Sequence, residues 1–461
     1  MRIKILALTK VLRVLGVCLL VLVLSVSIYS KKPTKPVDPG QIGPYEIGFT
    51  YFMLTDASRN TDIGGRPIPV YLWYPVDPMD ITEFTPEAIC PLDPVSNLLP
   101  SLTSSEWEIY GFDRAYQEPP PSSDAPFPLV VFSHGFGAHP MAYLYIGTRL
   151  ASHGIAVAAT YHWGDAWWPW EPLDHLAVAS MNRPGDISFM LTQLLARNVD
   201  PENLIYNLIN PNQVAASGHS LGGYASMTLA GGDDSVCDKI FELGYVDTPP
   251  ETCVLSPPDP RISAIVTLDG STQVLYFDEM ARITVPTMGI GQEWSTLYAL
   301  YPPGWESWQA RLHAASQGHP SYRVDVAEAY HNSFANGCEG ANMLYDKGII
   351  DEATRDAFVA EHCAAPIPTA LAYQLITKYM IAFLKINLAS EQDYQNFLTP
   401  GYALEEPYIE FFETEKRNPN ANDEDWPGYY MYFMHQPGSA HAKAAKDPEQ
   451  APPIPHMGLK R

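Results

Sequence analysis

The rhythm of hydrophobic positions along this chain changes at about residue 128. Over residues 45–77 apolar and polar side chains alternate, rich in β-branched and aromatic types, and end in Ile68-Pro69-Val70-Tyr71-Leu72-Trp73-Tyr74-Pro75. A period of two predicts antiparallel strands there. Residues 81–128 show no period and carry Pro119-Pro120-Pro121, which predicts loop. Then Leu129-Val130-Val131-Phe132 runs apolar without a break, as a strand covered on both faces does. A helix is predicted near 141–151, a strand at 155–161 and an amphipathic helix near 184–196. An apolar strand around Val214-Ala215-Ala216 and a helix of small residues at 224–230 follow. Further strands are expected at 262–268, 283–290 and 322–327, and a long helix at 369–388. Strands alternating with helices predict an α/β fold, a mostly parallel central sheet wrapped by helices behind an N-terminal antiparallel region.

Between that apolar strand and the small-residue helix stands Gly218-His219-Ser220-Leu221-Gly222-Gly223. Strand, Gly-x-Ser-x-Gly and helix in this order predict a nucleophile elbow. The turn is too tight for flanking side chains, and it lifts the hydroxyl to the end of the sheet before a helix N-terminus. Ser220 is the candidate nucleophile. It needs a base, and the base an orienting carboxylate, each in a loop at a strand's C-terminal end. Of the thirteen histidines only His331 has the order, a strand before it and a helix after it. His219 lies inside the elbow, where it packs beside the turn. For the acid, Asp269 follows the strand at 262–268 and Glu293 follows the next one, and spacing alone leaves both open. The oxyanion of an acyl transfer needs N–H donors worth roughly 3 kcal/mol each. One is the amide after the nucleophile, Leu221. The other is expected in Ser133-His134-Gly135-Phe136-Gly137, after the first buried strand, which makes the Phe136 N–H the candidate.

Composition narrows the partners. The 461 residues are 46% hydrophobic and carry a formal charge of −24, enough apolar mass for a large core and a poor match for phosphate backbones. No nucleic-acid partner is expected. Residues 1–30 read as a leader: Arg2, Lys4, Lys10 and Arg13 precede an apolar run over 14–28. Fifteen residues suit a signal-peptide core better than a membrane span of ~20, though a retained anchor stays open. Without those four cations 24 basic side chains face 52 acidic ones, a charge of −28. Residues 31–44 form a tether rich in proline and lysine. Export permits disulfides, and local pairing would join Cys237 to Cys253 and Cys338 to Cys363, leaving Cys90; buried free thiols are the alternative. Neither Cys-x-x-Cys nor His-x-x-x-His occurs, so no metal and no cofactor is expected.

Several motifs in one order resemble the plasma or type II platelet-activating factor acetylhydrolases and their bacterial relatives. They are Leu72-Trp73-Tyr74-Pro75, Phe132-Ser133-His134-Gly135-Phe136-Gly137-Ala138, Leu150-Ala151-Ser152-His153-Gly154, the elbow, Leu268-Asp269-Gly270 and His331-Asn332-Ser333-Phe334-Ala335. The likeness extends over roughly 43–335. It implies the α/β-hydrolase fold over 45–390, Asp269 rather than Glu293 as acid, oxyanion donors at Phe136 and Leu221, and a phospholipid with a short or oxidised acyl chain as substrate. Two segments depart from it, a cysteine-bearing insertion at 231–260 and an acidic, aromatic extension at 391–461. Trp163, Trp167, Trp168 and Trp170 crowd the loop after the strand at 155–161. They suit acyl chains or a lipid surface, or packing under the extension. The rival readings are a general esterase or polyester hydrolase and a non-catalytic lipid-binding envelope protein.

Overall fold

The computed structural model describes residues 36–61, 64–82, 84, 113–165, 176–238, 255–272, 275–293, 307–318 and 320–413. The expected leader, most of the tether, Cys90, Cys253, Trp167, Trp168, Trp170 and the end of the extension lie outside them.

The strands in chain order are β1 (Glu46–Thr61), β2 (Gly64–Val76), β3 (Tyr116–Gln117), β4 (Phe127–Ser133), β5 (Ala156–Thr160), β6 (Ile209–His219), β7 (Ile262–Leu268), β8 (Thr287–Gln292), β9 (Ser321–Val326) and β10 (Ile409–Glu413). The helices are α1 (Leu144–Ser152), α2 (Leu176–Asn198), α3 (Leu221–Gly231), α4 (Phe277–Ala281), α5 (Trp308–Ala315), α6 (Gly337–Asp346), α7 (Glu352–His362), α8 (Thr369–Asn387) and α9 (Pro400–Glu405). One sheet holds all these strands in the order β10-β9-β8-β7-β6-β4-β5-β2-β1-β3. From β5 to β9 every neighbouring pair is parallel. β1, β2 and β5 pair antiparallel, as the alternating N-terminal pattern predicts. This is the α/β-hydrolase fold, and parallel strands of this kind need cover on both faces.

Side chains of β4 show how that cover arises. Val130 and Phe132 enter a core shared with α1 and α8, while Leu129 and Val131 enter the opposite core with α2 and α3. β2 divides likewise, Tyr71 and Trp73 to one face and Val70, Leu72 and Tyr74 to the other. α1 sits close on β2 because Gly147 leaves room for the Trp73 indole: a Cβ there would be 2.4 Å from the ring.

Two boundaries differ from expectation. α2 begins at Leu176 and carries Pro184 in its interior, whereas proline reads as a first-turn residue because its missing N–H is no loss there. The strand expected over 283–290 is β8, which starts only at Thr287, after Pro286. Residues beyond 390 continue the sheet: β10 pairs antiparallel with β9, and Phe412 packs near Tyr322 and Tyr379 with ring centroids 5.9 and 5.6 Å apart. Cys338 and Cys363 form the expected disulfide between α6 and the end of α7. Cys237 is also disulfide-bonded, but its expected partner lies outside the described residues.

Burial holds several histidines neutral. It pushes His139 down to about 3 and His153 down to about 4. His153 keeps its Nε2–H on the Gln41 carbonyl at 2.9 Å. An unfolded histidine protonates near 6.5, so below that pH the unfolded chain binds protons the folded one refuses. Stability is then fully present above pH 6.5 and lost as pH falls toward 4. We expect the thermal midpoint to be flat above pH 7 and to fall steadily from 6.5 to 4.5 in a scan by circular dichroism; a midpoint that holds or rises would contradict neutral burial.

Candidate active site

β6 lies between β4 and β7, and its last residue leads directly into Ser220 and α3. Ser220 has φ 55° and ψ −120°, a conformation that side-chain-bearing residues rarely adopt and that costs about 1–3 kcal/mol. Neighbouring contacts hold it there. Its N–H donates to the Leu268 carbonyl at 3.0 Å, and its own carbonyl accepts from the N–H groups of Gly223 and Ser271, each at 2.9 Å. The flanking glycines are required by close approach. A Cβ on Gly222 would stand 1.9 Å from the Ser133 carbonyl oxygen, and one on Gly218 would stand 2.4 Å from Gly222.

Asp269 directly follows β7, fully buried at φ 41°. Its Oδ2 accepts from His331 Nδ1 at 2.6 Å and from Gln292 Nε2 at 2.7 Å. A carboxylate only accepts, so Nδ1 carries a proton, and in the neutral tautomer Nε2 is the bare nitrogen. His331 opens a short 3₁₀ turn after β9, a quarter exposed, with the Trp308 ring edge-on at 5.5 Å. Ser220 Oγ has no hydrogen-bond partner among the described residues, as serine–histidine pairs often lack one before substrate arrives. Glu293 is buried elsewhere, with its N–H on the Val326 carbonyl and its charge acting on Asp325 and Glu410. The structure thus brings Asp269, and not Glu293, onto His331.

The loop from Ser133 to Gly137 lies against the elbow: a Cβ on Gly135 would be 3.5 Å from Ser220 Cβ and 3.1 Å from His219 Nδ1. Among the described residues neither the Phe136 nor the Leu221 N–H has a partner, which leaves both available to an oxyanion. His219 joins three loops. Its Nε2 meets the His331 carbonyl at 2.9 Å, and its Nδ1 meets Tyr143 Oη at 2.8 Å. Burial first, and His331 second, hold His219 well below its usual range, so it is neutral. A carbonyl can only accept; Nε2 therefore carries the proton, Nδ1 accepts from the tyrosine O–H, and the tyrosine oxygen accepts from the Gly135 N–H at 3.0 Å. Every atom of that chain has one consistent role.

Sequence patterns pointed to Ser220, Leu221, Phe136, Asp269 and His331, all of which converge here. They missed Gln292 and Tyr143. The only sequence signal for Gln292 was a polar residue closing an apolar strand; Tyr143 had none. Trp163 is half-buried and packs on the core. Asn332, next to His331, donates to His362 Nδ1 at 2.7 Å, beside the Cys338–Cys363 bond. Among the described residues no group of three or more His, Cys, Asp or Glu side chains is placed to hold a metal ion.

Comparison with known proteins agrees with the fold. The family model for platelet-activating factor acetylhydrolase, isoform II, matches residues 34–167, a segment that includes the loop from Ser133 to Gly137. No curated protein matches the chain. Among solved structures, a ferulic acid esterase from Streptomyces cinnamoneus superposes with a TM-score of 0.51 at 22% identity, over 79% of this chain and 94% of that one. At that identity the likeness speaks for the fold. Family match and fold together support a carboxylic ester hydrolase.

Tyr143→Phe would leave the Gly135 N–H and His219 Nδ1 buried without partners. Each orphaned group costs about 1–3 kcal/mol, so urea unfolding should show a loss of that order. A variant as stable as the parent would mean that the chain of hydrogen bonds carries no weight.

Proposed function

We propose that this chain is a serine hydrolase of carboxylic esters that works through an acyl-enzyme on Ser220. One observation carries the reading: the 2.6 Å bond between His331 Nδ1 and Asp269, at the C-terminal end of a sheet whose elbow holds a serine at positive φ. In this reading Ser220 Oγ adds to the ester carbonyl carbon while its proton passes to His331 Nε2. Asp269 balances the imidazolium, and the Phe136 and Leu221 amides receive the oxyanion. The tetrahedral adduct then expels the alcohol, which takes the proton from Nε2. Water attacks the acyl carbonyl while His331 accepts its proton; the second adduct then breaks its bond to Ser220 Oγ, which takes that proton back from Nε2, and the acid leaves.

The substrate we assign is a phospholipid ester with a short or oxidised acyl chain, supported by the family match over 34–167. The Cys338–Cys363 disulfide supports an oxidising, exported setting. Among the described residues no helix is long and apolar enough to cross a membrane. A second reading, an esterase for aromatic acyl or polymeric esters, draws on the Trp308 indole beside His331.

The test measures acyl release from a phosphatidylcholine with a two-carbon sn-2 chain, from a long-chain phosphatidylcholine, and from a simple aromatic ester. Preference for the first, abolished in Ser220→Ala together with fluorophosphonate labelling, is the expected outcome. Turnover of the aromatic ester alone would move the assignment to the second reading, and no turnover or labelling at all would sink the hydrolase. Asp269→Asn should lower kcat by on the order of 10⁴, because the wrong imidazole tautomer is then favoured.

A further inference from the structure

α2 carries two buried charges one turn apart, Arg183 and Asp186, both 0% exposed. Asp186 faces Arg66, Arg59 and His162. Arg183 faces the loop from Ser133 to Gly137, and every arm of its guanidinium is engaged. Nε pairs with Asp165 Oδ2 at 2.5 Å; Nη1 donates to the His134 carbonyl and to Ser133 Oγ, the latter at 3.0 Å; Nη2 donates to the Gly135 carbonyl at 3.1 Å. The Gly135 oxygen also accepts from His134 Nδ1 at 2.7 Å. Asp165 in turn accepts the Gly137 N–H through Oδ1 at 3.2 Å.

The Gly135 carbonyl and the Phe136 N–H belong to one planar trans peptide and point in opposite directions. Fixing that oxygen on one side therefore fixes the direction of the N–H on the other. The Gly137 N–H belongs to the following peptide, so a single ion pair, Arg183–Asp165, holds both peptide planes that meet at Phe136. We propose that Arg183 is a positioning residue for ester hydrolysis: through the Gly135 carbonyl it aims and polarises the Phe136 N–H toward the oxyanion. The proposal rests on the reading of Phe136 as an oxyanion donor. A guanidinium suits the task because its donors form a rigid fork and its charge persists at any working pH. A lysine would supply one point of contact where three are used.

The experiment compares Arg183→Lys with the parent protein, with active serines counted by exhaustive fluorophosphonate labelling so that rates refer to folded sites. Loss of one oxyanion donor costs about 10²–10³-fold in kcat, so misaiming one should cost about 10–100-fold, with KM within about threefold. Affinity for a trifluoromethyl ketone, whose hemiketal places an oxyanion on the donors, should fall by the same factor. Arg183→Ala should regain turnover with millimolar guanidinium but not with methylammonium. If Arg183→Lys does not fold, Asp165→Asn is read the same way, since it removes the counter-charge and sets an amide donor against Nε. A kcat per labelled serine within twofold of the parent, a change in KM alone, or unchanged ketone affinity would overturn the proposal. Failure of the wider serine-hydrolase reading, within which Phe136 is an oxyanion donor, would look different: Ser220→Ala would then keep its activity and the parent would take no fluorophosphonate label.

Discussion

At the Ser133 carbonyl the first parallel strand, the elbow and the start of α3 come so close that no side chain fits between them. Gly218 and Gly222 both face this oxygen, and an added methyl on either would have to displace backbone. Main chain cannot yield as a side chain can, so the contact fixes how α3 leaves the sheet and how the loop beyond Ser133 runs past Ser220. The positive φ of Ser220 follows from the same crowding. Its local strain persists because backbone hydrogen bonds to β7, α3 and the loop after Asp269 hold the turn.

A second constraint lies behind the loop, away from the serine. Arg66 and Arg59 share Asp186, and Arg59 also meets Asp56; the separate pair Arg183–Asp165 is joined to them by hydrogen bonds through Ser133 Oγ and His162. Burying such charges costs several kcal/mol per ion before pairing, so well-packed apolar side chains would serve stability as well or better. What apolar side chains cannot do is hold carbonyl oxygens at set angles. Burial first, and the Arg183 charge second, lower His162, which stays neutral; burial raises the Asp186 carboxyl, but the Arg66 charge and the His162 and Arg66 hydrogen bonds hold it below its ordinary range. Ser133 Oγ is where the two halves meet, touched by the Arg183 guanidinium on one side and by the neutral His162 imidazole on the other.

Much of this was legible along the chain because its causes are local. The run Leu129–Phe132 must be covered on both sides, and β7 begins and ends at the residues its apolar pattern marks. Gly-x-Ser-x-Gly announces a turn that admits little else, Asp269 follows directly on a strand, and His331 comes a few residues after the end of one. The supporting residues were hidden because their partners are distant in sequence. Gln292 is 23 residues from Asp269, Tyr143 is 76 from His219, and Arg183 is 50 from Ser133. No local rule makes a lone arginine before a proline look like part of a site. Pro184 added a false signal, since it suggested a helix start in the middle of α2.

The place of β10 bears on how the chain is made. β9 leads into the turn that carries His331, yet among the described residues its outer edge is covered only by residues 409–413. During synthesis from the N-terminus, the histidine and all its partners emerge before the strand that seals their sheet. In that interval β9 offers a row of unpaired amides and carbonyls, the kind of edge on which chains add to one another. The last described sheet residues to leave the ribosome therefore work as a closing seam. A chain cut short between α8 and β10 would retain every reactive group and still lack protection against its own copies.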